Sequence, residues 1–163
     1  MLVATAFNSN CSGRACRGYT LVQLLTVLIL IAVLAGMAIA SYRMYVERAR
    51  VSQATGELGQ LEIAIEQFST NNDGDLPISL AVLAVADTTD PWGSTYQYVN
   101  ISLGAAPRTD QSGVAVNTDY DLFSMGQDMS TALSLTATAS EDDIIRGNNG
   151  GYLGPVADYS RLP

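Results

Sequence analysis

The feature that most constrains this chain is a long uncharged segment near its start. Between Arg17 and Arg43 there is no charged side chain. An uncharged run of about 20 residues forms a helix about 30 Å long, which matches the hydrocarbon thickness of a bilayer. Because backbone groups inside lipid must hydrogen-bond to one another, we predict a membrane-spanning helix at residues 19–40.

Composition argues against several classes of function. The net charge is -8, every basic residue is Arg, and His is absent. Both cysteines, Cys11 and Cys16, precede Gly18. If residues 1–18 are a leader that is removed, the remaining chain has no thiol. These absences argue against Ser/His/Asp or Cys/His catalysis and against Cys/His metal sites, and the acidic balance argues against nucleic-acid binding. We predict that the protein is not an enzyme; a carboxylate-dependent, membrane-anchored hydrolase is the alternative.

Residues 1–18 have the character of a short, weakly basic leader. Ala38-Ile39-Ala40 fits a secretory cleavage site, so simple secretion from Ser41 is one interpretation and an uncleaved single-span anchor is another. Two features argue against simple secretion. The apolar run is longer than the 7–15 residues usual in a signal peptide, and the helical pattern continues past Ala40 without a break.

The segment Arg17-Gly18-Tyr19-Thr20-Leu21 resembles the leader-peptidase site of type IV pilins and of type II secretion pseudopilins. The resemblance implies cleavage after Gly18 and an N-methylated Tyr19. It also assigns an assembly role to the fifth mature position, where the family has Glu and this chain has Gln23. Since Gln cannot neutralise the N-terminal amine of a neighbouring subunit, the change bears on assembly rather than on membrane residence.

Beyond the apolar run the pattern becomes amphipathic. No Pro occurs from 19 to 70, so one helix of about 50 residues is predicted, ending at the turn formers and Pro of 71–77. Its second half is expected to pack on a small domain. The apolar face is defined by residues spaced four, three, four and three apart: Ala54, Leu58, Leu61, Ile65 and Phe68.

The rest of the chain favours short strands separated by loops. Strands are predicted at 96–99 and 119–126, and a short helix at 78–86. Residues 129–140 are predicted to form a surface loop or weak strand, and the tail after the turn at 148–151 to be irregular.

Two later segments carry a closer resemblance, to the major pseudopilins of type II secretion systems (protein G). They are 90–98, Asp-Pro-Trp-Gly-Ser-Thr-Tyr-Gln-Tyr, and 120–128, which is followed by Asp142-Asp143-Ile144. The fold implied is α+β, type IV pilin-like, with a long N-terminal helix packed on a small antiparallel β-sheet. The domains implied are a cleaved leader at 1–18, a transmembrane and filament-core helix at 19–40, and a periplasmic globular domain at 41–163 that includes the second half of the helix.

The resemblance also implies a bound calcium ion. Calcium prefers six to eight oxygen ligands, which carboxylates and carbonyls supply. The alternative is that Asp128 caps a turn and that Glu141-Asp142-Asp143 is a solvated charge run. Carried over to this chain, the implied ligands are Ser124, Met125 through its carbonyl, Asp128, Asp142 and Asp143.

The function implied is a structural subunit of the type II secretion pseudopilus, which polymerises to drive protein export through the outer-membrane secretin. The implied partners are further copies of the chain, minor pseudopilins, an inner-membrane assembly platform with its secretion ATPase, the prepilin peptidase and membrane lipid. The implied location is the bacterial inner membrane, as a single-pass protein with a periplasmic C-terminal domain. The alternative is a minor or tip pseudopilin, or a type IV pilin-like subunit for adhesion or DNA uptake.

Overall fold

The computed structural model describes residues 19–83, 85 and 88–159. The predicted leader, with Gly18, lies outside the described residues. The chain divides into two compact units, Met1–Tyr42 and Arg43–Pro163. The elements run in the order α1 (Leu21–Asn71), β1 (Gln97–Asn100), β2 (Tyr120–Ser124), β3 (Ile144–Gly147), β4 (Tyr152–Pro155) and α2 (Val156–Tyr159), with four short 3-10 turns between them.

Helix α1 confirms the predicted single helix, since it runs for 51 residues without a break. It ends where the sequence turns to Asn, Asp and Gly. Asp73 and Gly74 both have positive φ, at 55° and 95°. The amide of Gly74 donates to the carbonyl of Ser69 at 2.9 Å, which satisfies one of the last carbonyls of the helix.

The four strands form one antiparallel sheet in the order β1-β2-β3-β4. In the register, Phe123 of β2 lies opposite Gln97 of β1 and Ile145 of β3. All five residues of β2 are buried. The strand predicted at 119–126 is therefore confirmed. It is a central strand, and its polar residues are buried as fully as its apolar ones.

The core lies on both sides of this sheet, because successive strand side chains point to opposite faces. On one side, Tyr120, Leu122 and Ile144 pack with the buried stripe of α1. On the other, Phe123 and Ile145 pack with buried residues of the loops and α2. The predicted stripe is confirmed at Ala54, Leu58, Leu61 and Ile65, which are buried, while Phe68 is only half-buried.

Several local predictions were wrong. Residues 152–159 form β4 and α2 rather than an irregular tail, and the described part of 78–86 has a 3-10 turn at Leu80–Leu83 rather than an α-helix. The third strand, β3, was not predicted. Glu62 of α1 is buried. Residues 152–159 are stabilised by pairing with β3 and by packing against the second core cluster, which their local sequence pattern does not indicate.

Two turns of the globular unit repeat the same hydrogen bonds. Asp90 and Asp110 each begin a turn in which the carboxylate Oδ1 accepts from the amides two and four positions later. Gly93 and Gly113 take the positive φ that each turn requires, 98° and 75°. Only Asp90 is buried, so the first turn is built into the core and the second lies nearer the surface.

Candidate functional site

The start of α1 is closed by a reciprocal pair of hydrogen bonds between Thr20 and Gln23. The Gln23 amide donates to Thr20 Oγ1 at 3.2 Å, and the Thr20 amide donates to Gln23 Oε1 at 3.0 Å. This is a capping box, which satisfies two of the amides that have no partner inside a helix. Gln23, which is predicted to act in assembly, therefore also stabilises the first turn of α1.

The first half of α1 presents an apolar surface that nothing in the described chain covers. Every described side chain from 19 to 39 is exposed, including eleven large aliphatic residues from Leu21 to Leu34 that are each more than half exposed. The most apolar window of α1 has a mean hydropathy of 2.7. Among the described residues, α1 is the one helix long and apolar enough to cross a membrane.

Ser124 and Met125, the first two predicted calcium ligands, lie at the end of β2. Ser124 Oγ is buried, donates to Asp90 Oδ2 at 2.6 Å and accepts from the Gly126 amide at 3.1 Å. Met125 packs its side chain against the second core cluster. Ser124 therefore links β2 to the first of the two matching turns.

Asp128 and Asp142 lie close together at the surface, as the resemblance implied. Asp142 Oδ2 accepts from the amides of Gln127 and Asp128 at 2.7 and 3.0 Å. Asp128 Oδ1 accepts from the amide of Ser130 at 2.8 Å. Both carboxylates thus stabilise turns of the loop, which is the alternative the sequence left open for Asp128.

Asp143 is turned away from these two acids, into the interior. It is fully buried, and its Oδ2 lies 2.5 Å from Arg108 Nη2 and 2.7 Å from Thr131 Oγ1. Burial raises the pKa of Asp143, while the hydrogen bonds from Thr131 and Arg108 act in the opposite direction. The guanidinium of Arg108 also lies over the Phe123 ring, 4.3 Å from its centroid.

One of the five implied calcium ligands, Asp143, already has a cationic partner in the chain, while its other oxygen, Oδ1, is buried with no hydrogen-bond partner among the described residues. Within residues 19–83, 85 and 88–159, no three His, Cys, Asp or Glu side chains form a group that could hold a metal. Asp143 Oδ2 already has a cationic partner, and a divalent ion beside it would face the positive guanidinium of Arg108. Calcium binding stays a prediction from the resemblance, and the contacts seen assign the charge balance at Asp143 to Arg108.

A second buried cation, Arg146, ties α1 to the sheet. Its Nε donates to Glu62 Oε1 at 2.7 Å, and its Nη2 donates to Asp119 Oδ2 at 2.8 Å. The guanidinium lies 4.0 Å from the centroid of the Tyr120 ring. Sequence reasoning missed both buried arginines; the available signal was that each is an isolated basic residue in an acidic domain.

The segment 90–98, which carries part of the pseudopilin resemblance, contacts α1 directly. Trp92 Nε1 donates to Glu47 Oε1 at 2.9 Å, and the Tyr96 hydroxyl donates to Glu57 Oε2 at 2.6 Å. These bonds join residues 45 and 39 positions apart. The two aromatic residues therefore fix the loop before β1 against the helix, a packing role rather than a chemical one.

The chain is similar to fimbrial proteins. It is 33% identical to a probable minor fimbrial protein of Dichelobacter nodosus over 130 residues, which is 80% of this chain and 76% of that protein. It is 30% identical to a fimbrial protein of Neisseria meningitidis serogroup A over 93 residues, 57% of this chain and 54% of that protein. A type IV major fimbrial protein FimA of Dichelobacter nodosus is 42% identical over 50 residues, about a third of each chain. No family model and no solved structure matches the chain.

Proposed function

The chain belongs to the type IV fimbrial protein family, and on that premise we propose that it is a structural subunit of a filament, held in the bacterial inner membrane before assembly. The observation that carries this proposal is the uncovered apolar surface of α1 from 21 to 39. Such a surface is stable in two environments, lipid or a bundle of similar helices. Assembly then transfers α1 from the first to the second, and the globular unit faces the periplasm.

The relatives favour a fimbrial role. A similarity that covers 80% of this chain is to a probable minor fimbrial protein, so a minor subunit of a type IV pilus-like filament is the first candidate. The second candidate is a subunit of the type II secretion pseudopilus, which exports proteins through the outer-membrane secretin. The segments 90–98 and 120–128 favour it, because they resemble major pseudopilins.

Both candidates need the same processing and assembly partners. The prepilin peptidase would cut after Gly18 and leave Tyr19 as a methylated N-terminus. An inner-membrane assembly platform and its ATPase would then add subunits to the growing filament, together with other copies and minor subunits. Mass spectrometry of the mature protein tests this step: we expect a chain that begins at Tyr19. A chain that begins at Ser41 would instead indicate ordinary signal-peptide cleavage.

Counting copies in purified filaments separates the two candidates. A filament in which this chain is the main component supports a major subunit, and a few copies per filament support a minor one. Deleting the gene and measuring both surface filaments and secreted protein then distinguishes a pilus from a pseudopilus. If the mature chain retained residues 19–40 yet never entered a filament, the structural-subunit proposal would fail.

A further inference from the structure

The exposed cations of the described chain are gathered in one short stretch of α1. Five arginines lie in the described ranges, and two of them, Arg108 and Arg146, are buried and paired with carboxylates. The other three are exposed and lie within eight consecutive residues: Arg43, Arg48 and Arg50. Elsewhere the exposed charges of the described residues are acidic.

Nearby acids leave most of this positive charge unbalanced. Glu47 is the single acid in the stretch, and it lies 3.6 Å from Arg50 in an exposed pair. Exposed pairs of this kind contribute little to stability. Arg43 and Arg48 form no ion pair with a described residue. Two guanidinium groups are therefore available for an anionic partner.

The side chains of the stretch are distributed around the helix rather than along one face. At about 100° per residue, Arg43 and Arg50 lie on nearly the same side and Arg48 lies about 140° away. Tyr45, between them in sequence, is 72% exposed. Arginine and tyrosine side chains reach into the headgroup layer at membrane interfaces, where their apolar parts contact acyl chains and their polar ends contact phosphate. We call Arg43, Tyr45, Arg48 and Arg50 the collar.

The position of the collar in the sequence argues for a role at the membrane. Arg43 follows Ala40, the end of the predicted span, by three residues. Under the proposed function the collar lies on the translocated side, where the bias of membrane proteins disfavours basic residues. Of the three collar arginines, only Arg50 has an acidic partner among the described residues, so Arg43 and Arg48 can contact an anionic surface.

We propose that the collar binds the headgroups of anionic phospholipids in the periplasmic leaflet and so keeps the acidic globular unit at the membrane before assembly. The proposal rests on the membrane stage of the proposed function. The collar spans about 10 Å along α1, close to one Debye length at physiological salt. All three arginines thus lie within reach of the surface potential, which otherwise repels a chain with a net charge of -8.

Energy transfer from the single tryptophan can test the proposal. Trp92 is bonded to Glu47 inside the stretch, so it reports on lipids next to the collar. The full chain is placed in phosphatidylcholine vesicles that contain a trace of dansyl-labelled lipid, either phosphatidylglycerol or phosphatidylcholine. We expect transfer to the anionic lipid to indicate at least a threefold local enrichment at low salt, below the limit of about fivefold per basic residue. The enrichment should fall toward one at high salt.

Variants identify the residues responsible. Arg43→Gln/Arg48→Gln/Arg50→Gln should abolish the enrichment, and Arg48→Gln alone should reduce it if the triple variant inserts poorly. The matched control, Asp73→Asn/Asp75→Asn, alters exposed charges at the far end of α1 and should leave it unchanged. Equal transfer to both lipids in the wild type, or an unchanged enrichment in the triple variant, would overturn the proposal.

The same vesicles keep this proposal separate from the proposed function. A chain that carbonate washes from the vesicles would overturn both, because no membrane stage would exist. A chain that stays inserted and enriches anionic lipid, yet forms no filament in cells, would support the collar and contradict the filament role. An inserted chain that assembles normally without lipid selectivity would overturn the collar alone.

Discussion

Arg108 and Asp143 lie 35 positions apart in the sequence, yet Arg108 Nη2 and Asp143 Oδ2 are 2.5 Å apart in the interior of the globular unit. The contact joins the loop before β2 to the start of β3. Thr131 donates to the same carboxylate oxygen, which brings the intervening loop into the network. An internal cation thus pairs with one of the five residues that the resemblance assigned to calcium.

Removing that cation should destabilise the protein strongly. Arg108→Ala leaves a buried carboxylate without its partner, a change that typically costs about 3–5 kcal/mol. Urea unfolding of the full chain in detergent, followed by Trp92 fluorescence, measures the loss. Arg50→Ala removes an exposed arginine and should cost under about 1 kcal/mol. Equal losses of unfolding free energy in the two variants would show that Arg108 contributes no more to stability than an exposed arginine does.

Chelation should have little effect on the wild-type protein. Because Arg108 balances Asp143 and Asp142 is bonded to two backbone amides, EGTA should change the melting temperature by less than about 1 °C, as expected when no stabilising ligand is removed. Melting is measured with EGTA and again after calcium is restored. A clear fall in melting temperature that calcium reverses would establish the predicted calcium site. It would also show that calcium replaces Arg108 as the partner of Asp143.

Acid should weaken the link between Arg146 and Asp119. Burial opposes the ionisation of Asp119, but hydrogen bonds from Arg146 and the Tyr120 amide outweigh it and lower the pKa. The unfolded chain therefore binds more protons in acid, so this contribution is present above the ordinary pKa of 3.8 and is lost as the pH falls through the lower folded value.

Asp119→Asn isolates that contribution. Between about pH 6 and about pH 3, the wild type should lose more unfolding free energy than the variant does. Burial raises the pKa of Asp143 and gives it the opposite pH dependence, but this contribution is common to both proteins and cancels in the comparison. Urea titrations at each pH provide the measurement, and parallel pH profiles would contradict the prediction.

The helix start can be tested at Gln23. Gln23→Glu keeps an oxygen that accepts from the Thr20 amide and adds the charge found in the family, so filament yield should rise or stay the same. Gln23→Ala removes the acceptor and with it half of the capping box, and should lower the yield. Sheared filaments are quantified from cells. A complete loss with Glu would mean that this position requires a neutral side chain.

A pair of glycines tests the packing of the loop beside Asp142. Gly126 and Gly113 have similar positive φ, 64° and 75°, but a Cβ on Gly126 would overlap the Asp142 carbonyl, whereas one on Gly113 meets nothing within 4 Å. Ala at either site carries the left-handed backbone penalty of about 1–2 kcal/mol. Gly126→Ala should cost clearly more in urea unfolding. Equal costs would indicate that the loop moves aside freely.

The parts of the fold that depend on local sequence pattern were predicted correctly. A run of 50 residues without Pro determines α1, and the spacing of Leu58, Leu61 and Ile65 determines the face that it buries. The α+β, pilin-like class followed from the resemblance and is confirmed. Strands β3 and β4 escaped prediction because each is short and contains a Gly, Gly147 and Gly154, which weakens the local strand pattern. Strand β1 is equally short but contains Tyr98 and Val99, which favour a strand.

The site was harder to predict for the same physical reason. Arg146 bonds to Glu62 across 84 positions, and no spacing rule connects residues so far apart. The capping box, by contrast, was available, since Thr20 precedes Gln23 by three positions at the start of an apolar run. Gln23 completes this capping box whatever its part in assembly.

The sheet ends also determine how copies of this chain can meet. Its two outer strands have four residues each, and the last one finishes at Pro155, which has no amide hydrogen to donate. A border this short gives a neighbouring strand very few bonding groups, so edge-to-edge growth into amyloid-like stacks is disfavoured. Under the proposed function, contacts between copies are therefore made by the apolar first half of α1.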